Sequence, residues 1–107
     1  MIVYVDIDET ICEYEDEREY PLAKPLPNNI GIINELYESG HEVIYWTARG
    51  SLTGIDWTEL TVEQLKKWGA KYTKLKLKKP HYDVFICDKA INSERFFKQY
   101  NEKDDEK

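Results

Sequence analysis

Two carboxylates, separated by one apolar residue, follow the first apolar run of the chain. The run from Ile2 to Val5 is typical of a buried strand, and Asp6-Ile7-Asp8-Glu9-Thr10 comes directly after it. In the turn that follows, Asp6 and Asp8 are presented together while Ile7 points elsewhere. Two carboxylates this close repel each other unless a cation or a shared proton offsets the repulsion. The pattern therefore indicates a metal-assisted carboxylate site.

Two later strands are expected to deliver polar residues to the same place. The apolar run 43–46 precedes Thr47, the run 83–87 precedes Asp88, and Lys79 lies in a lysine-rich segment between them. Ligands of open α/β sheets bind at the carboxyl ends of the strands. We therefore expect these residues to meet the two carboxylates at one edge of the sheet.

In this order the motif Asp6-x-Asp8-x-Thr10, Thr47, Lys79 and Asp88 resemble the motifs of the haloacid dehalogenase (HAD) superfamily of phosphohydrolases. The resemblance covers residues 2–92 and implies hydrolysis through an aspartyl phosphate. By resemblance, Asp6 is the nucleophile, and Asp8 protonates the leaving oxygen and then deprotonates the attacking water. The implied cofactor is Mg²⁺, held by the carboxylates of Asp6 and Asp88 and the backbone carbonyl of Asp8.

The remaining site residues follow from the same resemblance. Thr47 supplies a hydroxyl to a phosphoryl oxygen, and a lysine neutralises the phosphoryl group in the transition state. Lys79, before Pro80, is the chosen lysine, and Lys78 is the alternative. Among residues on the substrate side of the site, Thr10 is expected chiefly to order the turn through the backbone.

Arg49 is the best candidate for substrate specificity. It follows Thr47 by two residues, and its planar guanidinium suits a carboxylate, a phosphate or sugar hydroxyls. The alternative is a salt bridge from Arg49 to the acidic segment after the first strand.

The fourth motif departs from the commonest family pattern. Many relatives carry two acidic residues in tandem where this chain has Cys87-Asp88, so metal affinity is expected to be lower. The segments 47–57 and 79–92 resemble a compact HAD subgroup associated with bacterial capsule and surface-polysaccharide biosynthesis. That association implies a sugar phosphate as substrate.

Composition restricts the class of protein. The chain has 107 residues and a formal charge of −6, which disfavours binding to long nucleic acid. It has no apolar run long enough to span a membrane, and a strand at residue 2 leaves no room for a signal peptide. Two cysteines, Cys12 and Cys87, make no disulfide framework and fit a reducing cytoplasm.

The predicted elements alternate as in an α/β protein. A helix capped by Asn28 or Asn29 ends near Gly40, and a second helix opens with a capping box at Thr61 and ends at Gly69. Residues 72–77 form an edge strand with alternating lysines, 83–87 a fourth strand, and 90–97 a last short helix. The order predicts a mainly parallel, three-layer, Rossmann-like sheet. Only about six residues join the last two strands, fewer than a helical crossover needs, so their pairing stays open.

We expect a single minimal domain over residues 1–100, without a cap domain, and an acidic tail over 101–107. The segment 11–27 is longer than most connecting loops and is predicted to form a flap over the site. Without a cap, cover for the site is expected from this flap and from association of identical subunits.

Several chemically active side chains are not expected at the site. Asp83 lies about 16 Å from Asp88 along an extended strand, at the other end of the sheet. His81 is expected as a surface or packing residue, and His41 on the far side from the site. The three tryptophans are expected in the core or an interface rather than as a platform for sugars.

Two other functions stay open at this point. An uncapped site also suits a nucleotide or polynucleotide-end phosphatase, although the acidic charge argues against long nucleic acid. A HAD-like regulatory or assembly module that binds metal without turnover is the alternative outside enzymes.

Overall fold

The computed structural model describes the chain from Met1 to Asp105, with side chains as far as Asn101. Within these residues it forms five strands and three helices around one short 3₁₀ turn at Tyr20–Leu22. The strands are β1 (Ile2–Val5), β2 (Cys12–Glu13), β3 (Lys24–Pro25), β4 (Glu42–Trp46) and β5 (Lys74–Lys76). The helices are α1 (Pro27–Glu38), α2 (Thr58–Lys67) and α3 (Ser93–Asp105).

The main sheet is parallel and has the order β1-β4-β5. Its register pairs Val5 with Tyr45 and Trp46 with Lys76, so the three strands end close together. The predicted parallel α/β sheet is thus confirmed, and so is the position of the lysine-rich strand at an edge. A separate antiparallel ribbon, β2 with β3, lies in the segment predicted as a flap.

One core joins the sheet to the helices. Val5, Val43 and Tyr45 are buried on one face of the sheet, in the same cluster as Leu65 of α2 and Phe97 of α3. The same cluster contains three isoleucines of α1, and three residues that follow β1: Ile30, Ile32 and Ile33, and Ile7, Ile11 and Cys12. Successive side chains of a strand point to opposite faces, so Ile2 and Tyr4 belong to the other face. They are 65% and 49% exposed, and the predicted third layer is not confirmed.

The helices begin earlier than their predicted caps. α1 starts with Pro27 at its first position, where a proline costs no hydrogen bond, and neither asparagine caps it. Asn29 instead donates to the backbone oxygen of Thr10 over 3.0 Å. α2 starts at Thr58, whose backbone N–H and hydroxyl donate to Asp56, so the predicted capping box lies inside the helix.

The fourth predicted strand does not form. Residues 83–87 have no strand partner within the described chain and are exposed, as is Asp88. Apolar, β-branched sequence favours a strand only where a neighbouring edge is available. The short link from β5 is too short for a helical crossover to such an edge.

The last helix is longer than predicted. α3 continues to Asp105, so the expected boundary of the acidic tail at residue 101 falls inside a helix. Residues 106 and 107 of that tail lie outside the described residues. From Met1 to Asp105, no helix is both long and apolar enough to cross a membrane.

The Tyr45 hydroxyl provides a test of the core. It is buried and, among the side chains described, has no hydrogen-bond partner, and this burial raises its pKa. Removing an unpaired buried hydroxyl should remove its desolvation cost, so we expect Tyr45→Phe to increase the free energy of unfolding by about 1 kcal/mol. Urea unfolding measures this, with Tyr72→Phe, whose ring packs against Tyr45, as the control. A decrease in stability for Tyr45→Phe would mean that the hydroxyl has a partner.

Candidate active site

The turn after β1 carries the two carboxylates and is anchored in the core by Ile7. Ile7 is fully buried, and its carbonyl oxygen accepts the backbone N–H groups of Thr10 and Ile11 over 3.1 and 2.9 Å. The turn also contains Glu9 at a φ of 62°, a conformation that is costly for a residue other than glycine. A tight turn anchored by Ile7 therefore presents Asp6 and Asp8 at the carboxyl end of the sheet.

Asp6 is the accessible carboxylate. Its side chain is 45% exposed, and its Oδ2 lies 4.0 Å from Nζ of Lys79. Burial of the carboxyl group raises its pKa, the positive charge of Lys79 opposes this rise, and the nearby negative charge of Asp8 adds to it. Asp6 thus faces solvent beside a cation, as a nucleophile that attacks an anionic phosphate requires.

Asp8 is held by the protein itself. Arg49 donates from Nε to Oδ2 over 3.2 Å and from Nη2 to Oδ1 over 2.9 Å, and the Tyr14 hydroxyl donates to Oδ1 over 2.5 Å. Burial alone would raise the pKa of Asp8, but the hydrogen bonds and charge of Arg49, with the bond from Tyr14, hold it below its usual value. Asp8 is therefore ionised at neutral pH.

Arg49 is buried, and the donors of its guanidinium group are bonded to protein groups. Its Nη1 donates to Thr61 Oγ1 over 3.1 Å and to Gln64 Oε1 over 2.6 Å, in addition to the two bonds to Asp8. The ring of Tyr20 lies 4.8 Å from its central carbon. The predicted contact of Arg49 with substrate does not match this arrangement, since its donors are already engaged. Arg49 does form a salt bridge, as the alternative prediction proposed, but its partner is Asp8 rather than the acidic segment.

Thr47 directly follows the end of β4, as the sequence predicted. Its Oγ1 accepts the backbone N–H of Arg49 over 3.1 Å, which leaves the hydroxyl proton free to donate. Its backbone oxygen accepts the N–H of Lys79 over 3.1 Å, so the two residues are coupled. Both line one cleft of about 220 Å³ together with Asp6 and Asp8.

Of the two candidate lysines, the structure brings Lys79 to this cleft. Lys78 adopts a φ of 64° and is exposed, and this turn leaves Lys79 facing Asp6. The ammonium group of Lys79 also lies 5.5 Å from the ring centres of Trp46 and of Tyr82. Thr10 is outside the cleft lining and contributes its backbone to the turn.

Asp88, which was predicted to be a ligand of Mg²⁺, does not line the cleft. Among the described side chains, those of residues 1–101, no group of three acidic, histidine or cysteine residues is arranged to hold a metal ion. Asp6 and Asp8 are adjacent, but the Asp8 carboxylate is already neutralised by Arg49. The residues present thus supply only part of the oxygen set that Mg²⁺ requires.

Several residues of the site were not predicted from sequence, among them His81, which was not expected at the site but lines the cleft. Tyr14, Arg18 and Tyr20 all come from the segment between β2 and β3, and the last two line the cleft. Arg18 also lies near enough for its charge to lower the pKa of both Asp6 and Asp8. The available signal was the prediction of a flap over residues 11–27, which did not single out particular side chains.

The complete fold has a solved counterpart. A crystal structure of a target protein from Vibrio cholerae is similar to this chain with a TM-score of 0.78 and 24% sequence identity, over 96% of this chain and 98% of that chain. No family model and no curated protein matches the sequence. At this identity the similarity shows a shared fold and carries no information on activity.

The Asp8–Arg49 pair should appear in the dependence of stability on pH. A carboxyl group whose pKa is lowered in the folded state stabilises the fold above its unfolded pKa, about 3.9 for aspartate, and loses that contribution as the pH falls through the folded pKa. Asp8→Asn leaves Arg49 buried without its counter-charge, so we expect a loss of about 3–5 kcal/mol at pH 7 and a smaller difference from wild type near pH 3.

Urea unfolding at both pH values measures this difference, with the exposed Asp83→Asn as the matched control. A constant difference between wild type and Asp8→Asn at the two pH values would contradict the ionised, paired state of Asp8.

Proposed function

We propose that this protein is a magnesium-dependent phosphomonoesterase of the HAD type, acting through an aspartyl phosphate on a small phosphorylated metabolite, with a sugar phosphate as the expected substrate. The observation that carries the proposal is the cleft lined by the exposed Asp6, by Lys79 and by the buried Thr47, whose hydroxyl accepts one bond and keeps its own proton. A nucleophile, a cation and a hydrogen-bond donor are the groups that phosphoryl transfer needs.

The proposed reaction has two steps. An Asp6 oxygen attacks phosphorus, the bond from phosphorus to the leaving oxygen breaks, and Lys79 and Thr47 stabilise the phosphoryl oxygens. Water then attacks the phosphorus of the aspartyl phosphate, which releases inorganic phosphate and restores Asp6. In the second step, Asp8 can accept the proton of the water through Oδ2, whose only described partner is Nε of Arg49.

Asp8 must also gain a proton if it is to assist a poor leaving group. Its pKa is held low by Arg49 in the free protein. A bound phosphate dianion adds negative charge beside Asp8 and so raises that pKa. Substrate binding is thus the event that would make Asp8 a proton donor.

The proposed metal site needs Asp88 beside Asp6. β1 is the end strand of the sheet, so within the described chain its outer edge has no partner. Residues 83–87 are one residue longer than β1, and pairing along that edge in the parallel direction would bring Asp88 to the turn after β1. This pairing would extend the sheet toward the Rossmann-like arrangement. Mg²⁺ held there by Asp6, Asp88 and the Asp8 carbonyl would offset the repulsion between the nucleophile and the phosphate.

Hydrolysis of an aryl phosphate tests the activity. We expect release of phosphate with Mg²⁺, none with a chelator, and a loss of at least about a thousandfold in kcat for Asp6→Asn, since no other described carboxylate can replace the nucleophile. The control Asp83→Asn should retain full activity. Full activity in Asp6→Asn would refute the mechanism.

Cys87 offers a separate test of the metal site. Its thiol is exposed, whereas Cys12 is buried and burial raises the pKa of its thiol to about 12, so a thiol reagent should label Cys87 first. We expect Mg²⁺ to slow this labelling several-fold because pairing with β1 covers Cys87. Asp88→Asn should abolish the protection, and equal labelling rates with and without Mg²⁺ would contradict the proposed pairing.

The alternative of a non-catalytic module keeps one observation in its favour, because the described structure leaves Asp88 away from the cleft. Metal protection of Cys87 without any turnover would support that alternative.

We also propose a homo-oligomer, supported by the exposed face of Ile2 and Tyr4. A single monomeric species in light scattering at micromolar concentration would exclude it.

A further inference from the structure

A second cavity adjoins the carboxylate cleft. It has a volume of about 610 Å³, and it shares four lining residues with the cleft: Arg18, Tyr20, Ala48 and His81. The two spaces are therefore neighbours. The cavity is the larger of the two, so it offers room for the group esterified to a phosphate bound beside Asp6.

The wall of this cavity is largely apolar. Tyr20 and Trp57 meet edge to face, with ring centres 5.2 Å apart and planes at 81°. Leu52 and Ile55 add exposed aliphatic side chains from the loop between β4 and α2, and Leu52 is 76% exposed. Aromatic faces with adjacent aliphatic groups favour a ring that has an apolar face.

Backbone contacts hold the parts of this wall together. Gly50 has a φ of 80°, and a Cβ there would lie 2.1 Å from the backbone oxygen of Ile55 and 3.3 Å from the Trp57 ring. The Gly54 N–H closes the same loop onto the Gly50 oxygen over 2.8 Å. Gln64 donates from Nε2 to the backbone oxygen of Tyr20 over 2.7 Å. The loop and the flap are thus anchored to the same residues that hold Arg49.

Arg18 and His81 line both the cavity and the cleft, whereas the polar Glu19 and Thr53 line the cavity alone. Arg18 borders both spaces, and the ionic partner found for it among described side chains is Glu9, at 3.8 Å between Nη2 and Oε1. At that distance the guanidinium keeps donors available, in contrast to the buried Arg49. Arg18 is therefore positioned to contact the ester or a polar substituent of the bound group.

We propose that this cavity is the leaving-group subsite, and that it selects phosphate monoesters of cyclic alcohols over those of short acyclic ones. The inference rests on the proposed phosphatase function and names the substrate class of that site. The ring packs against Tyr20 and Trp57 under the aliphatic loop, while Arg18 binds polar groups at the junction with the cleft. A preformed cavity gains affinity because little ordering is needed on binding.

Two esters with similar leaving-group reactivity test the subsite: cyclohexyl phosphate and ethyl phosphate. We expect wild-type kcat/KM to favour the cyclohexyl ester by at least about tenfold, because its additional methylene groups are buried. Leu52→Ser should lower that preference several-fold through a higher KM for the cyclohexyl ester. The matched control is Leu22→Ser, since Leu22 is 65% exposed on the flap and lines neither space.

Calorimetric titration of cyclohexyl phosphate in the presence of a chelator gives a readout that does not need turnover. Tighter binding of the cyclohexyl than of the ethyl ester, reduced by Leu52→Ser only, would support the subsite even if the phosphatase proposal failed. Equal binding of the two esters, or equal effects of Leu52→Ser and Leu22→Ser, would overturn the subsite. Hydrolysis of both esters at equal kcat/KM would overturn it and leave the phosphatase proposal intact.

Discussion

The buried ion pair between Asp8 and Arg49 is the interaction on which the rest of the site depends. It joins the turn after β1 to the segment after β4, and through Thr61 and Gln64 it reaches α2. Burial of two charges is costly unless both are paired and their remaining groups are hydrogen-bonded. Arg49 meets this condition with side-chain bonds to Asp8, Tyr14, Thr61 and Gln64, besides its contact with the ring of Tyr20. The same contacts that satisfy the pair therefore fix the positions of the turn, the flap and α2 relative to one another.

This constraint gives the two carboxylates different properties. Asp8 is buried, ionised and paired with Arg49. Asp6 is 45% exposed and lies near Lys79, and the partial burial of its carboxyl group raises its pKa. Neighbouring carboxyl groups in different environments are a common feature of acid–base and nucleophilic sites. In the proposed function, Asp6 reacts with phosphorus and Asp8 exchanges protons. The anchored flap also supplies Tyr20 to the adjoining cavity, so the pair that positions Asp8 also shapes the proposed subsite.

Sequence predicted the parts of the fold that depend on local pattern and on parallel topology. Apolar runs located β1 and β4, and the rule that parallel strands end at one edge brought Asp6, Thr47 and Lys79 together. The partner of Arg49 could not be predicted, because Asp8 is 41 residues away and several acidic residues competed for the same guanidinium. The strand expected at 83–87 was wrong for a related reason, since its pairing depends on an edge elsewhere in the chain.

The central claim is that Asp6 forms a covalent bond to the transferred phosphoryl group. Rapid acid quench of the wild-type protein during turnover of an aryl phosphate, followed by mass analysis of its peptides, tests this most directly. We expect an added phosphoryl group on the peptide that contains Asp6, and no phosphoryl group on the same peptide of Asp6→Asn. Turnover without any phosphorylated peptide, or with the phosphoryl group on a different residue, would contradict the account.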